Sequence, residues 1–357
     1  MPHTNCAGPG LRVCHVKILF NHHLPFSLTQ GGTQRQIEQT QAALEEIGVV
    51  VEPLRWWDER QTGEVLQHFG RIPTHILRGA QQKGMKVVLS DLLTEAGSRS
   101  GSRLKVEKIV RRAMRRLLPS SMLVAYHWDS YRLADACLAL TPWEAHLMAE
   151  LFGAPVNRIH VVPNGVEGAF WNGPPAKRGP WLVCTATITQ RKRVLELAQA
   201  AVLGQAPLWV IGEPYSDSEP YAKGFLELAQ QNPRFLRHEG GIVDRAKLAR
   251  VYREARGFVL LSATESLSLS ALEAAACECP LLLSDLPWAR AVFGQTVTYC
   301  PIASPRKTAQ LLRKFYDQAP GLKPPPKPLT WPQVAGQLKS IYESLLNRAR
   351  LGSHKIP

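Results

Sequence analysis

The sequence predicts an α/β protein of two domains, each a doubly wound parallel sheet, facing one another across a cleft. Three observations carry this reading. At 357 residues the chain exceeds what one ordinary core organises. From Val13 onward, short apolar, β-branched runs alternate with amphipathic stretches of helical period, as βα units do. After the PNG turn at residues 163–165, the Gly- and Pro-rich GAFWNGPPAKRGP divides that alternation into two series.

Taken in order, residues 1–12 (MPHTNCAGPGLR) lack a basic start followed by an apolar stretch and are expected to form a loose arm rather than a signal peptide. The first domain, 13–167, opens with the strand VCHVKILF and the long loop NHHLPFSLTQ. GGTQRQIEQTQAALEEIG follows as a helix with Ile37, Ala42, Leu44 and Ile47 on its apolar face and Gly48 as its stop. VVVEPL, EVLQHF, MKVVLS and ACLAL are the further strands. The second domain, 168–325, draws strands from WLVCTATI, LWVIG, RFLRHEG, GFVLLS, PLLLS and VTYC, each trailed by a helical segment. Within 326–357, a Pro-rich connector precedes an amphipathic helix carrying Leu338, Ile341 and Leu345 on one face, expected to return to the first domain.

Hydrophobic residues make up 45% and charged residues 20%, and no run of roughly 18 apolar residues is present, so the expectation is a soluble, cytoplasmic protein. Seven cysteines at 6, 14, 137, 184, 277, 279 and 300 lack paired CxxC spacing and suit reduced thiols. The Cys277/Cys279 pair is too weak a signal for a metal site, and none is expected. A net charge of +14 favours anionic partners. Half of it sits in RSGSRLKVEKIVRRAMRR, residues 99–116. On a helix, Val106, Ile109, Val110, Ala113, Met114 and Leu117 share one face and Lys105, Lys108, Arg111, Arg112, Arg115 and Arg116 the other. Residues 103–118 therefore suit peripheral contact with an anionic membrane, or else pack the apolar stripe inward and solvate the basic face. No basic platform interleaved with aromatics points to nucleic acid.

The stretch ESLSLSALE places Glu265 and Glu273 eight positions apart around uncharged residues. In an open parallel sheet, ligands gather at the carboxyl ends of the strands, where helix N-termini offer N–H groups to phosphates. Glu265 follows the strand GFVLLS, and the helix opening near Ser268 carries Glu273 one or two turns in. Carboxylates so placed accept hydrogen bonds from vicinal hydroxyls of sugar and ribose, while backbone N–H groups of Leu267, Ser268 and Leu269 suit a phosphate. A helix-dipole glutamate plus a solvated one is the alternative.

TATITQRKRVLELAQA, LWVIGEPY, RFLRHEGGIVDRAKLARVYREA, ESLSLSALEAAACECPLLLSDLPWARAVFG and ADACLALTPWEAHLMAELFGAPVNRIHVVPNGVEGAF together resemble the retaining glycosyltransferases of family 4. The resemblance is dense from Ala134 to Gly294 and looser over Val13 to Gly48. It implies the GT-B fold, with a Rossmann-like acceptor domain over 13–167 and a Rossmann-like nucleotide-sugar donor domain over 168–325. It implies a metal-independent hexosyl transfer with retention, from a nucleotide diphosphate sugar to a glycan, lipid-linked or small-molecule hydroxyl, without a further cofactor. Glu265 then contacts the transferred sugar, Glu273 the ribose, and Lys192 the donor diphosphate. Gly31 and Gly32 match a glycine loop on the acceptor side, and Asn164 and Gly165 an interdomain turn whose glycine is expected at positive φ. The chain departs from the family pattern at Thr187, where an arginine is usual, leaving Arg191 or Arg193 to replace it. Ser266 and Ser268 stand where glycines are usual. Ser90, Asp91 and Leu92 lack the usual histidine, for which Asp91, His22 and His23 are the candidates. Residues from His238 to Ile242 are expected at the base pocket. A binding scaffold on the same fold, or an epimerase or phosphorylase, are the alternative readings.

Overall fold

Strands apolar on both faces suit a parallel sheet covered by helices on either side. The computed structural model describes residues 16–23, 31–99, 101–119, 122, 126–302 and 304–353. Its N-terminal strands are β1 (Lys17–His22), β2 (Val50–Pro53), β3 (Val65–Phe69), β4 (Lys86–Ser90), β5 (Ala136–Ala139) and β6 (Ile159–Val161), ordered β2-β1-β3-β4-β5-β6. Every pairing is parallel. Alternation along each strand fills two cores: Ile18, Phe20, Val65 and Val88 point to one, Leu19, Leu66, Val87 and Leu89 to the other.

The C-terminal sheet comprises β7 (Leu182–Thr185), β8 (Leu208–Ile211), β9 (Leu236–Glu239), β10 (Gly257–Leu260), β11 (Leu281–Ser284) and β12 (Thr298–Cys300), ordered β12-β11-β10-β7-β8-β9 and again parallel throughout. Both sheets are doubly wound, as the apolar runs predict. β6 is the strand the sequence reading passes over. Its three residues, Ile-His-Val, are only partly buried and present no apolar run.

Helix α1 (Gly32–Glu46) buries Ile37, Thr40, Ala43 and Leu44. Ala42, expected on that face, is exposed, because steps of three and four residues from Ile37 and Thr40 bring in Ala43 instead. Gly48 closes the segment at φ 79°. The next helices that matter to the cleft are α2 (Thr94–Gly97), α3 (Gly101–Leu117) and α4 (Pro142–Phe152) in the first half, then α5 (Arg245–Glu254) and α6 (Leu269–Ala276) in the second. Helix α7 (Trp331–Ser353) crosses back to the first sheet. Its Trp331, Val334, Leu338, Tyr342 and Leu345 join the core of Ile18, Phe20 and Ile37. The buried Tyr342 hydroxyl donates to Gln67 Oε1, whose amide donates in turn to Ser90 Oγ at 3.0 Å.

Gly165 is not at positive φ. A Cβ there would lie 2.6 Å from Trp331 N and 2.7 Å from its Cα, so glycine is required because two backbones touch where the crossing chain passes. Val166 and Thr330 form a bridge at the same place. The five described cysteines, Cys137, Cys184, Cys277, Cys279 and Cys300, are buried free thiols; Cys6 and Cys14 lie outside the described residues. Burial pushes the Cys184 and Cys279 thiols up to about 12.

Gly165→Ala is expected to lower stability by about 1–3 kcal/mol, because the clash is with backbone that cannot rotate away; an unchanged thermal midpoint contradicts the contact. His68 is fully buried, its Nδ1 accepting from Asn21 Nδ2 at 2.9 Å, and burial and then the nearby His23 hold its pKa down to about 4. A depressed histidine favours the neutral ring in the fold, so its contribution is complete above the unfolded value near 6.5 and drains away as pH falls towards 4. His68→Gln keeps an acceptor for Asn21 and removes the titration, and thermal midpoints of the variant therefore fall less than those of the parent between pH 7 and pH 5.

Candidate active site

The carboxyl ends of both sheets open onto one cleft of about 750 Å³, lined from the first half by Gly31, Gly32, Arg35 and Leu92 and from the second by Thr187, Lys192, Ile242, Glu265 and Glu273 among others. Volume does not single it out. A groove of about 810 Å³ beside Leu203, Arg306 and Arg313 is lined by the second domain alone and draws no side chain from the first. The cleft does.

Glu265 lies in the loop between β10 and α6 and is buried. Its Oε2 meets Lys192 Nζ at 2.5 Å and Arg191 Nη1 at 3.7 Å. Lys192 ends a short 3₁₀ turn, Gln190–Lys192, that Thr189 caps by accepting from the Lys192 N–H. Arg193, in the left-handed region at φ 54°, then turns the chain into the next helix. Arg191 therefore reaches the cleft, where it also donates to the Thr264 carbonyl at 3.0 Å, and Arg193 is not among the cleft-lining residues. Thr187 also lines the cleft.

Ser268 is the N-cap of α6, accepting from the Ala271 N–H at 3.3 Å. Leu267, Ser268 and Leu269 line the cleft at that helix start, and Glu273 follows one turn into the helix. Glu273 is gripped by Arg245 at the start of α5 and approached by the Tyr252 hydroxyl at 3.3 Å. Arg245 also binds Glu167 at 2.9 Å and lies 4.6 Å over the Phe170 ring. Burial raises the Glu273 pKa above the ordinary carboxylate range, and the Arg245 charge works against that rise.

Ser266 reaches across the cleft. Its hydroxyl donates to Glu144 Oε1 at 2.6 Å. Glu144 is 1% exposed and also accepts from the backbone N–H groups of Leu93 (3.1 Å) and Leu140 (2.9 Å). Burial raises its pKa against these three donors. Beside it, Ser98 Oγ accepts from the Glu265 N–H at 2.9 Å and lies 3.1 Å from the Glu265 carbonyl, and Asn164 Nδ2 stands 3.5 Å from the Leu267 carbonyl. The loop that carries the first glutamate is thus held by three N-terminal side chains.

Gly31 and Gly32 head α1 with nothing within 4 Å of where a Cβ would stand, so their backbone faces open cleft. The candidates for the missing histidine are placed elsewhere. Asp91 pairs with Arg71 at 3.0 Å and accepts from Tyr131, a structural ion pair outside the cleft lining. His22 ends β1 and is half-buried, and His23 stacks on Trp56 at 6.3 Å; neither is among the cleft-lining residues. Of the stretch His238 to Ile242, Gly241 and Ile242 line the cleft, whereas His238 hydrogen-bonds with the Gly212 carbonyl at 2.9 Å.

Residues 179–318 match the family model described as glycosyl transferases group 1. The C-terminal domain is a group 1 glycosyl transferase domain. The chain that carries it is a glycosyltransferase, and its two parallel sheets form the GT-B fold. A sucrose-phosphate synthase from Thermosynechococcus elongatus aligns with TM-score 0.65 and 15% identity over 93% of this chain and 100% of that one. HepE of Anabaena, in complex with UDP and glucose, gives 0.62 and 12% over 94% and 100%. A glycosyltransferase from Rickettsia africae gives 0.62 and 11% over 93% and 98%. At such identities the likeness shows the fold alone. No curated protein sequence matches the chain.

Sequence reasoning missed Glu144, Ser98, Arg245 and Tyr252. A signal existed for two of them. Thr141-Pro-Trp-Glu144 has the spacing of a capping box, with Thr141 capping α4, and Asp244 before Arg245 marks a helix start. Neither pattern discloses that the side chain crosses to another element. Glu144→Ala leaves three buried donors without an acceptor and is expected to lower stability by about 3 kcal/mol or more, Ser266→Ala by about 1–2 kcal/mol. Equal, negligible losses in thermal unfolding would remove the interdomain role.

Proposed function

We propose that this glycosyltransferase moves a hexose-type sugar, with retention and without a divalent cation, from a nucleoside diphosphate sugar to a hydroxyl of a glycan, lipid-linked or small-molecule acceptor. The observation that carries this reading is the Lys192–Glu265 pair at the mouth of the cleft, with Glu273 one helical step deeper. Lys192 and Arg191, beside the N-terminus of α6, supply the positive charge on which a departing diphosphate depends. A diphosphate competes with the Glu265 carboxylate for the Lys192 ammonium, and the carboxylate so released accepts hydrogen bonds from the sugar hydroxyls.

Glu273 is the ribose contact in this reading. Arg245 opposes the rise that burial imposes on the Glu273 pKa, and Tyr252 orients the second oxygen. The complex of HepE with UDP and glucose supports a donor of that chemical class. The acceptor approaches from the Gly31 and Gly32 side, where its hydroxyl attacks the face of the anomeric carbon that the diphosphate leaves. The leaving phosphate oxygen takes the hydroxyl proton, so no dedicated protein base is assigned. Ser266 and Ser268 are compatible with turnover in this scheme, since one hydroxyl bonds with Glu144 and the other caps α6.

The test is slow hydrolysis of nucleotide sugars by the purified chain, scanned first by thermal shift with UDP, GDP and ADP. A bound diphosphate at a hundred times its Kd stabilises the fold by about 2.7 kcal/mol. Lys192→Ala and Glu265→Ala then each lower kcat by about 10²–10³ while leaving the fold intact. Binding without turnover in the parent chain would point to a scaffold. Turnover unchanged in both variants would move the active centre elsewhere.

A further inference from the structure

The faces of helix α3 are reversed relative to ordinary packing. Against the body of the protein it sets Leu104 together with charged side chains. Arg111 lies 4.6 Å over the Trp128 ring and 4.6 Å over Phe152, and it pairs with Glu107. Arg115 donates to the Phe152 carbonyl at 2.8 Å, and Lys108 pairs with Glu150. Of its apolar stripe, Met114 packs on the core beside Leu104 and Trp128, whereas Val106 is 61% exposed, Ile109 67% and Leu117 80%. Among the described residues beyond the helix, Leu118, Met122 and Tyr126 are also exposed.

At 100° per residue, Val106, Ile109, Val110, Ala113 and Leu117 form one strip, and Lys105, Arg112 and Arg116 run as a row along a single flank of it. All three cations are exposed. They are also not engaged in the ion pairs that hold the inward arginines. A strip of this kind leaves in water large apolar side chains that a covering surface would stabilise. The flanking charge says what covers it, since a second protein face would need carboxylates in a matching row whereas anionic headgroups supply them everywhere along a bilayer surface.

We propose that α3 is a bilayer-docking helix that seats its Val106–Leu117 strip among the acyl chains of an anionic membrane, with Lys105, Arg112 and Arg116 on the headgroups. No helix among the described residues is long and apolar enough to cross a membrane, so the contact is interfacial. Docking also brings the loop of Glu265 near the surface. α3 begins three residues after Ser98, which holds the backbone of Glu265, and Arg99 ties that junction to Glu107 within the helix. The docking itself rests on α3 alone and is independent of the donor chemistry.

The experiment is flotation of the full chain with phosphatidylcholine vesicles and with vesicles that also contain phosphatidylglycerol. Binding is expected only to the second. Lys105→Glu/Arg112→Glu/Arg116→Glu is expected to weaken it about a hundredfold or more, at about 1 kcal/mol per cation near the surface. Ile109→Asp/Leu117→Asp is expected to weaken it at least about tenfold. All these positions are exposed, so thermal midpoints, and any shift produced by UDP, are expected to match the parent. Failure to float, equal binding to both vesicles, or variants that float like the parent each overturn the proposal. So does a parent dimer in sedimentation that Ile109→Asp/Leu117→Asp converts to monomer without loss of vesicle binding, which would assign the strip to a second copy. Flotation as expected with no nucleotide effect would leave docking in place and remove only the donor reading.

Discussion

The arrangement of this cleft depends on one buried carboxyl group. Glu144 is closed off from solvent, and a carboxylate in that position is tolerated only when its oxygens are saturated with donors. Two of those donors are backbone N–H groups of its own domain, Leu93 and Leu140, and the third is a hydroxyl from the other domain, Ser266. The requirement to satisfy Glu144 therefore fixes the loop that begins with Glu265. Ser98 and Asn164 add weaker ties to the same loop at Glu265 and Leu267. The position of the first glutamate is in this sense set by the N-terminal domain, although the C-terminal sheet carries it.

That coupling gives a physical meaning to the serines. A glycine at 266 would free the backbone but leave Glu144 with one donor fewer in a dry environment. A glycine at 268 would remove the hydroxyl that accepts the Ala271 N–H at the head of α6. Each serine exchanges backbone freedom for a defined polar contact. Rigidity of this kind is useful where a carboxylate must be held in one geometry against a lysine. The same logic runs deeper in the cleft, where Arg245, Tyr252 and Thr185 form a chain that leads to Glu273, with Thr185 Oγ1 2.5 Å from the Tyr252 hydroxyl.

The sheets were legible in the sequence because a parallel strand buried on both faces writes itself as a continuous apolar run. KVVLS, GFVLL and PLLLS are such runs, and each became a strand. Ile159–Val161 is also a strand but was not legible, since an edge strand of three half-exposed residues carries no such mark. The candidate site was legible where its residues share one local stretch, as Glu265, Ser268 and Glu273 do. It was not legible where a side chain crosses between elements remote in sequence, as Glu144 and Arg245 do. Gly165 shows a third case. Its residue type correctly announces a special backbone position, but the cause is a chain 166 residues further on, Trp331, pressing against it rather than a turn of positive φ. Asp91 is the counterpart, a loop acid that local sequence leaves free and that Arg71 and Tyr131 claim for the core.

Helix α3 exposes the limit of periodicity most clearly. An amphipathic pattern states that a helix has two unlike faces, and it is silent on which of them meets the protein. Burying the apolar face is the default because water is the usual alternative. Here the inward face is satisfied by guanidinium groups laid on Trp128 and Phe152, a packing that arginine permits and lysine does not, since the planar fork stacks while its N–H groups bond sideways. Once arginines can serve as the inner surface, the aliphatic residues are released to face outward, and the sign of the whole helix is inverted without any change in its pattern. The distribution of cations records that inversion: Arg111 and Arg115 stack or bond inward, while Lys105, Arg112 and Arg116 stand in the open beside the exposed strip.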